Sequence, residues 1–121
     1  MEVNATNSQF RIMYTSNLMK MSLRGYVSYH IYLNRKFQKV ENPPKDLYFT
    51  EVDGELYLCF SEPTTLHFQR KYVMRGLNCD VRIPKPIVKK FEVEKFSQVF
   101  MDRVQDGVFK CRFNNYDTGG V

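Results

Sequence analysis

The side chains best suited to chemistry in this chain are cationic, and they recur in both halves of the sequence. Lys and Arg together number 18 against 13 Asp and Glu, a formal net charge of +5. Such side chains neutralise phosphates and release counterions, but they carry little sequence information by themselves. Ten of them are candidate contacts to duplex DNA: Arg24, Arg35, Lys36, Arg70, Lys71, Arg75, Arg82, Lys85, Lys89 and Lys90. The alternative is a solvated basic surface that has no partner.

Two places within this set have distinct expected roles. Arg75 stands beside Gly76 and Asn78, which predict a hairpin loop, and a two-stranded β-ribbon fits the major groove of B-DNA. Arg75 is therefore the candidate for reaching base edges. Lys89 and Lys90 are expected on the solvent side of a short helix, where they contact phosphate.

Other chemistries find little support in residue spacing. The candidate metal ligands are His30, His67, Cys59, Cys79 and Cys111, but no pair of them has the close spacing of a structural zinc site. A nucleophilic site would need Ser or Cys near a His and an orienting acid, and no local motif joins such residues. The sequence therefore predicts no catalytic residue, no metal ligand and no cofactor.

Length and composition limit the class of protein. A chain of 121 residues suits one domain, and its 15% aromatic content, without Trp, suits half-buried strands. No apolar run is long enough for a signal peptide or a membrane span. With an odd number of cysteines, these features indicate reduced thiols in a cytoplasmic protein that has no membrane partner.

Eight strands and two helices are predicted from alternation and turn residues. The strands are 9–15, 26–33, 47–52, 55–60, 64–73, 79–83, 99–104 and 108–113, and the helices are 34–39 and 86–91. Segment 17–24 stays open between a short helix and a long hairpin loop. Asp53-Gly54 predicts a type I′ turn, because both central residues of that turn need positive φ, and Asp106-Gly107 predicts a second hairpin turn. The predicted core includes Ile83, Ile87, Phe91, Phe100 and Phe109.

The two halves of the chain correspond at a nearly constant offset, which predicts half-repeats at 9–60 and 64–113. In this alignment Tyr29 matches Ile83, and Phe37 matches Phe91. The alternative is two hairpins in a small β domain without duplication. The expected fold is mainly β with short helices (α+β), a small pseudobarrel built from two β-β-α-β-β-like halves. Residues 9–113 form the single domain, between a flexible arm at 1–8 and a flexible tail at 114–121.

One segment carries a family resemblance. Val81-Arg82-Ile83-Pro84 precedes Ile87, Lys89-Lys90, Phe91 and Val93, and the strands around Val99–Met101 and Val108–Lys110 follow. This order resembles the swapped-hairpin, double-psi-like DNA-binding fold of the AbrB, MazE and SpoVT regulators, over 66–113 well and over 10–60 loosely. In that family a strand ends in an aliphatic-proline pair, a short basic helix follows, and a hairpin closes the unit.

The chain departs from this family pattern in three ways, of which the first is that the acidic, disordered tail that antitoxins use to wrap a toxin is missing. The first half has Tyr29-His30 where the second has Ile83-Pro84, and both halves stand in one chain, whereas family members usually dimerise. The resemblance implies a small DNA-binding protein and transcriptional regulator, as a monomeric pseudo-dimer or a homodimer. The alternative is a protein–protein interaction module, such as a small viral or mobile-element inhibitor of a host protein.

Overall fold

Strands dominate residues 11–116, the part of the chain that the computed structural model describes. The strands are β1 (Met13–Leu23), β2 (Tyr26–Leu33), β3 (Asp46–Val52), β4 (Glu55–Cys59), β5 (His67–Lys71), β6 (Val73–Arg75), β7 (Asn78–Arg82), β8 (Gln98–Gln105) and β9 (Val108–Asn114). The helices are α1 (Arg35–Glu41) and α2 (Lys85–Lys90), and a 3-10 turn covers Val93–Lys95. The prediction of a mainly β fold with short helices is confirmed.

All nine strands belong to one antiparallel sheet, in the order β5-β3-β4-β9-β8-β1-β2-β7-β6. Its two edge strands, β5 and β6, are consecutive in the chain, and only Tyr72 separates them. The Tyr72 N–H donates to the carbonyl of Lys45 at 3.2 Å, which extends the β5–β3 register by one residue beyond the Lys71–Asp46 pair. The sheet thus curls into a nearly closed barrel whose edges meet at one residue.

Three hairpin turns can be compared with the turns that the sequence predicts. Asp53 and Gly54 have φ of 52° and 82°, which confirms the type I′ turn. Arg24 and Gly25 have φ of 51° and 83°, so segment 17–24 is neither a helix nor a long loop: β1 continues to Leu23 and turns back within two residues. In the last hairpin only Gly107 has positive φ, and the strand register shifts between Arg103 and Gln105.

Alternate side chains of the strands fill the barrel. The fully or almost fully buried strand residues include Ile31, Leu33, Leu47, Phe49, Leu56, Leu58, Val81, Val99, Met101 and Phe109. α1 adds Phe37, whose ring centroid lies 4.9 Å from that of Tyr14 and 5.0 Å from that of Phe109. α2 adds Ile87. The helices therefore cover the barrel with one buried side chain each.

The predicted core is correct at three positions, correct in part at Phe91, which packs against the core, and wrong at Phe100. Ile83, Ile87 and Phe109 are buried, as expected. Phe100 is not, because Val99 and Met101 take the inward positions of β8 and successive strand residues face opposite sides. The Arg112 guanidinium lies over its ring, 5.6 Å from the centroid. Phe91 follows the end of α2 and is only partly buried, beside Phe113.

Strand pairing also shifts the correspondence between the halves. Ile31 pairs with Val81, and Leu33 pairs with Cys79. Leu33 is followed by Asn34, whose side chain caps α1 by accepting from the Phe37 N–H at 3.0 Å, just as Ile83 is followed by Pro84 at the start of α2. The structural counterpart of Ile83 is therefore Leu33. The sequence alignment gives Tyr29 instead, which lies four residues earlier in the chain.

The domain continues past its predicted C-terminal boundary at residue 113. Asn114 ends β9, the backbone N–H of Tyr116 donates to Ser97 Oγ at 2.8 Å, and its hydroxyl donates to Asn17 Oδ1 at 2.9 Å. The predicted tail at 114–121 thus begins with anchored residues. The arm predicted at 1–8, the strand start at 9–10 and the tail residues 117–121 lie outside the described residues.

Candidate nucleic-acid interface

The part of the sheet with the fewest strand neighbours is the turn end of the β1–β2 hairpin. β1 pairs with β8 only over Met13–Asn17, and β2 pairs with β7 only over His30–Leu33. Residues 19–23 pair only with residues 26–30, and residues 26–28 pair only with residues 21–23. With the Arg24-Gly25 turn they form a two-stranded ribbon that projects from the barrel, here called the β-ribbon (residues 19–28). Its side chains are exposed, fully or in part, on both faces.

The β-ribbon carries two basic side chains, Lys20 and Arg24, and both are exposed. Neither forms an ion pair among the described residues. At the tip, Leu23 and Tyr26 pair across the strands and are 73% and 72% exposed. The tip therefore offers one cation and two large apolar groups to a partner.

The sequence around the β-ribbon has an excess of positive charge. Between Glu2 and Glu41 there are six basic residues and no Asp or Glu, whereas from Glu41 to the end the basic and acidic residues balance at twelve each. Only Lys20 and Arg24 of these six belong to the β-ribbon, since Arg11 pairs with Asp102 and the other three lie on α1. The ribbon therefore has two basic residues and no acidic one.

Several of the predicted DNA contacts lie near the base of the β-ribbon. Arg82 stands opposite His30 in the ladder, and the Ile83 N–H donates to the Tyr29 carbonyl at 2.8 Å, so α2 begins beside the ribbon base. Lys85 and Lys89, four residues apart on α2, share one face of that helix and are exposed. These residues extend the cationic surface of the ribbon onto the barrel.

Arg70 belongs to the same region but is less available. It lies on β5 opposite Leu47 and is only partly exposed. Burial and, secondarily, the charge of Arg82 hold the pKa of the Arg70 guanidinium below its ordinary value.

Arg35 and Lys36 lie elsewhere. Both are exposed in the first turn of α1, with Lys39 in its last turn, and α1 follows the end of β2 that is farthest from the Arg24 turn. The eight residues of β2, at about 3.3 Å each, place α1 roughly 25 Å from the ribbon tip. The ten candidates therefore do not form one patch.

Three of the ten candidates are already paired with carboxylates. Lys71 Nζ lies 2.8 Å from Asp46 Oδ1, and Lys90 Nζ lies 2.5 Å from Glu51 Oε2. Arg75 ends β6, opposite Asn78, and its Nε donates to Asp80 Oδ2 at 2.5 Å. Arg75 is predicted in a hairpin loop but belongs to β6, so it is held against the sheet and Arg24 occupies the protruding turn.

Asp80 links Arg75 to a polar chain that the sequence does not reveal. Its Oδ1 lies 2.5 Å from His30 Nδ1, and His30 Nε2 lies 2.8 Å from Ser28 Oγ. Asp80 and His30 are 4% and 8% exposed, although both face outward on neighbouring strands. Because an ionised carboxylate only accepts, Nδ1 carries the proton, and in neutral His30 the other nitrogen accepts from the Ser28 hydroxyl.

The order Ser–His–Asp is that of hydrolytic enzymes, but the surroundings differ. Ser28 lies within the strand ladder opposite Met21, on the outer surface of a β-ribbon. Acyl transfer also needs donors directed at a developing oxyanion in a site that excludes water. The chain Ser28–His30–Asp80–Arg75 is instead suited to fixing the seam between β2 and β7 and to orienting Arg75.

The three cysteines carry no reactive chemistry in this setting. Cys59, Cys79 and Cys111 are free thiols and are buried. Burial raises the pKa of each thiol, to about 12 for Cys111. Since the thiolate is the nucleophile and the metal ligand, these side chains are packing residues near neutral pH. Across the described range no cluster of three His, Cys, Asp or Glu residues is arranged to hold a metal ion.

Comparison with known proteins adds no relative. No family model, no curated protein and no solved structure matches the chain. In the described part, neither helix has the length and apolar character that crossing a membrane requires.

Proposed function

We propose that this protein binds duplex DNA through the β-ribbon and acts as a small transcriptional regulator. The observation that carries the proposal is the ribbon itself: a two-stranded projection whose Lys20 and Arg24 form no ion pair within residues 11–116, in a segment free of acidic residues. A ribbon of two antiparallel strands has the width that the major groove of B-DNA admits.

Different side chains of the ribbon and its base are suited to different parts of DNA. Arg24 at the tip is suited to guanine, whose O6 and N7 accept two hydrogen bonds from a guanidinium. Leu23 and Tyr26 offer apolar surface to thymine methyl groups. Arg82, Lys85 and Lys89 at the ribbon base would contact phosphates and set the orientation. Arg24 thus takes the role that the sequence suggests for Arg75.

The strand pairing supports a tandem origin for the barrel. The order strand-strand-helix-strand-strand occurs twice if β5 and β6 count as one bent strand, as β1-β2-α1-β3-β4 and β5/β6-β7-α2-β8-β9. The pairings correspond as well: β1 contacts β2 and β8, and the β5/β6 strand contacts β7 and β3. We infer two swapped-hairpin halves in one chain, so that a monomer has the barrel that family members build by dimerising.

A second candidate function rests on the apolar surface of the same ribbon. Besides Leu23 and Tyr26, Met19 and Val27 are exposed, and the backbone edges of residues 19–23 and 26–28 are unpaired on their outer sides. Such an edge can add a strand from a partner protein. An inhibitor of a host protein would use the ribbon in this way.

Recovery from cell lysate with and without nuclease separates the two candidates. A DNA-binding protein loses its co-purifying material after nuclease treatment, and it binds purified random duplex with an affinity that falls steeply with salt. A protein that binds one partner through the apolar ribbon retains that partner after nuclease treatment and at high salt. Absence of duplex binding at low salt would overturn the DNA proposal.

A further inference from the structure

A groove lies between α1 and the β6–β7 hairpin, at the end of β2 away from the β-ribbon. Its volume is about 330 Å³, within the range of small-molecule sites. One wall comes from the helix and the segment after it, through Arg35, Lys39 and Asn42, and the other comes from Tyr72, Met74 and Leu77. We call it the α1 groove.

The α1 groove is positively charged on one side and apolar on the other. Arg35 and Lys39 are four residues apart, so they lie on the same face of α1, and neither is in an ion pair within residues 11–116. None of the described residues that line the groove is acidic. The Lys45 ammonium adds a third cation near the wall, since it lies 4.6 Å from the centroid of the Tyr72 ring.

The shape of the groove is held by a side chain that spans it. Gln38 Nε2 donates to the carbonyls of Leu33 and of Leu77, each at 2.9 Å. α1 is thereby tied to the tip of the β6–β7 hairpin, so the two walls keep their spacing without a ligand. Both amide hydrogens of Gln38 are used, which leaves its Oε1 as an acceptor, and the Asn42 side chain adds a carboxamide at the rim.

We propose that the α1 groove binds a small phosphate ester that carries a planar ring, of the size of a nucleoside monophosphate. Arg35 and Lys39 would hold the phosphate, Tyr72, Met74 and Leu77 would contact the ring, and the amide groups would meet its polar edge. A purely inorganic anion would leave the apolar wall unused, and a neutral ring would leave two cations without a partner. The site is separate from the β-ribbon and does not depend on the DNA proposal.

Calorimetric titration of the full chain with four probes tests this site: the nucleoside monophosphates, the matching nucleosides, inorganic phosphate and random duplex DNA. We expect at least one monophosphate to bind about tenfold or more tightly than phosphate or its nucleoside, since each half of the ligand adds contacts. Amide chemical-shift changes on binding should concentrate in α1 and residues 72–79. Equal affinity for phosphate and monophosphate, shifts confined to the β-ribbon, or no binding at millimolar ligand would each overturn the proposal.

Matched variants locate the contacts. Arg35→Gln with Lys39→Gln should weaken monophosphate binding about tenfold or more, because hydrogen bonds to charged groups are the strong ones. Lys36→Gln, an exposed neighbour on the same helix that does not line the groove, should change it little. Met74→Ala should weaken monophosphate binding and leave phosphate binding unchanged. Duplex affinity measured on the same variants reports on the ribbon separately, so one proposal can fail while the other holds.

Discussion

At the scale of single residues, the polar chain Ser28–His30–Asp80–Arg75 explains why a basic residue predicted to bind DNA is turned back on the protein. Asp80 is almost inaccessible and has a partner on each carboxylate oxygen, His30 on one and Arg75 on the other. The bond to Asp80 raises the pKa of the Arg75 guanidinium, so the cation is more firmly charged but already paired. Reading Arg75 as free surface charge overlooks a partner five residues away on the next strand.

Replacing Asp80 should therefore reduce stability. In Asp80→Ala the buried His30 Nδ1 loses its acceptor, and we expect the free energy of unfolding to fall by about 1–3 kcal/mol, the cost of an unsatisfied buried polar group. Chemical denaturation compares it with Asp106→Ala, which removes a carboxylate that is 97% exposed and paired with Arg103 and should cost less than about 0.5 kcal/mol. Equal losses for the two variants would show that the buried chain contributes no stability.

At the scale of elements, the two helices have equivalent positions but unequal roles. Each follows a strand of the β2–β7 pair and puts its third residue, Phe37 or Ile87, into the barrel. Phe37 is fully buried among the rings of Tyr14, Phe60 and Phe109, whereas Phe91 lies past the end of α2 at the edge of the core. The larger side chain of Phe37 thus fills the core beneath α1, whereas Ile87 and Phe91 together cover the core beneath α2.

This difference predicts an order of destabilisation. Phe37→Ala should lower the free energy of unfolding by about 3–5 kcal/mol, because it opens a cavity between packed rings. Phe91→Ala removes a side chain that is buried only in part and should cost about 1–2 kcal/mol. Denaturant unfolding of both variants measures the order, and a larger loss for Phe91→Ala would contradict the assignment of Phe37 as the central aromatic residue.

Local sequence patterns predict elements in this protein better than they predict correspondence between elements. The sequence predicts both ends of the strand Tyr26–Leu33 correctly, because β-branched and aromatic residues lie between Gly25 and the cap residue Asn34. The alignment of the halves failed by four residues in this region because the hairpin arms differ in length: β1–β2 is long, and β6–β7 is short. The length of a hairpin arm depends on pairing across the sheet, which one sequence does not display. The Asp80–His30 contact could not be predicted either, because it joins residues 50 positions apart on paired strands.

At the scale of the whole molecule, closure and charge are distributed unevenly. The barrel comes near to closing at Tyr72, where the edge strands β5 and β6 follow one another in the chain, so that edges which could recruit other chains are mostly removed. The β-ribbon is the place where paired strands leave this closed surface, and it lies in the segment that holds the excess positive charge. Composition predicts a basic protein, whereas the location of Lys20 and Arg24 on a projecting ribbon follows only from the pairing of β1 and β2.

The central claim is that the β-ribbon contacts the phosphates and base edges of duplex DNA. Salt-titrated fluorescence anisotropy on random duplex tests it most directly, with the wild type, Lys20→Gln/Arg24→Gln and the matched control Lys71→Gln/Lys95→Gln, whose lysines are paired with Asp46 and Glu92. Both doubles remove two positive charges, so net charge cannot distinguish them. Removing the phosphate contact of Lys20 should flatten the dependence of log affinity on log salt by about one unit in the ribbon variant, the loss of Arg24 should weaken its binding further, and the control should change little. Equal slopes in the two doubles, or no binding by the wild type at low salt, would contradict the claim.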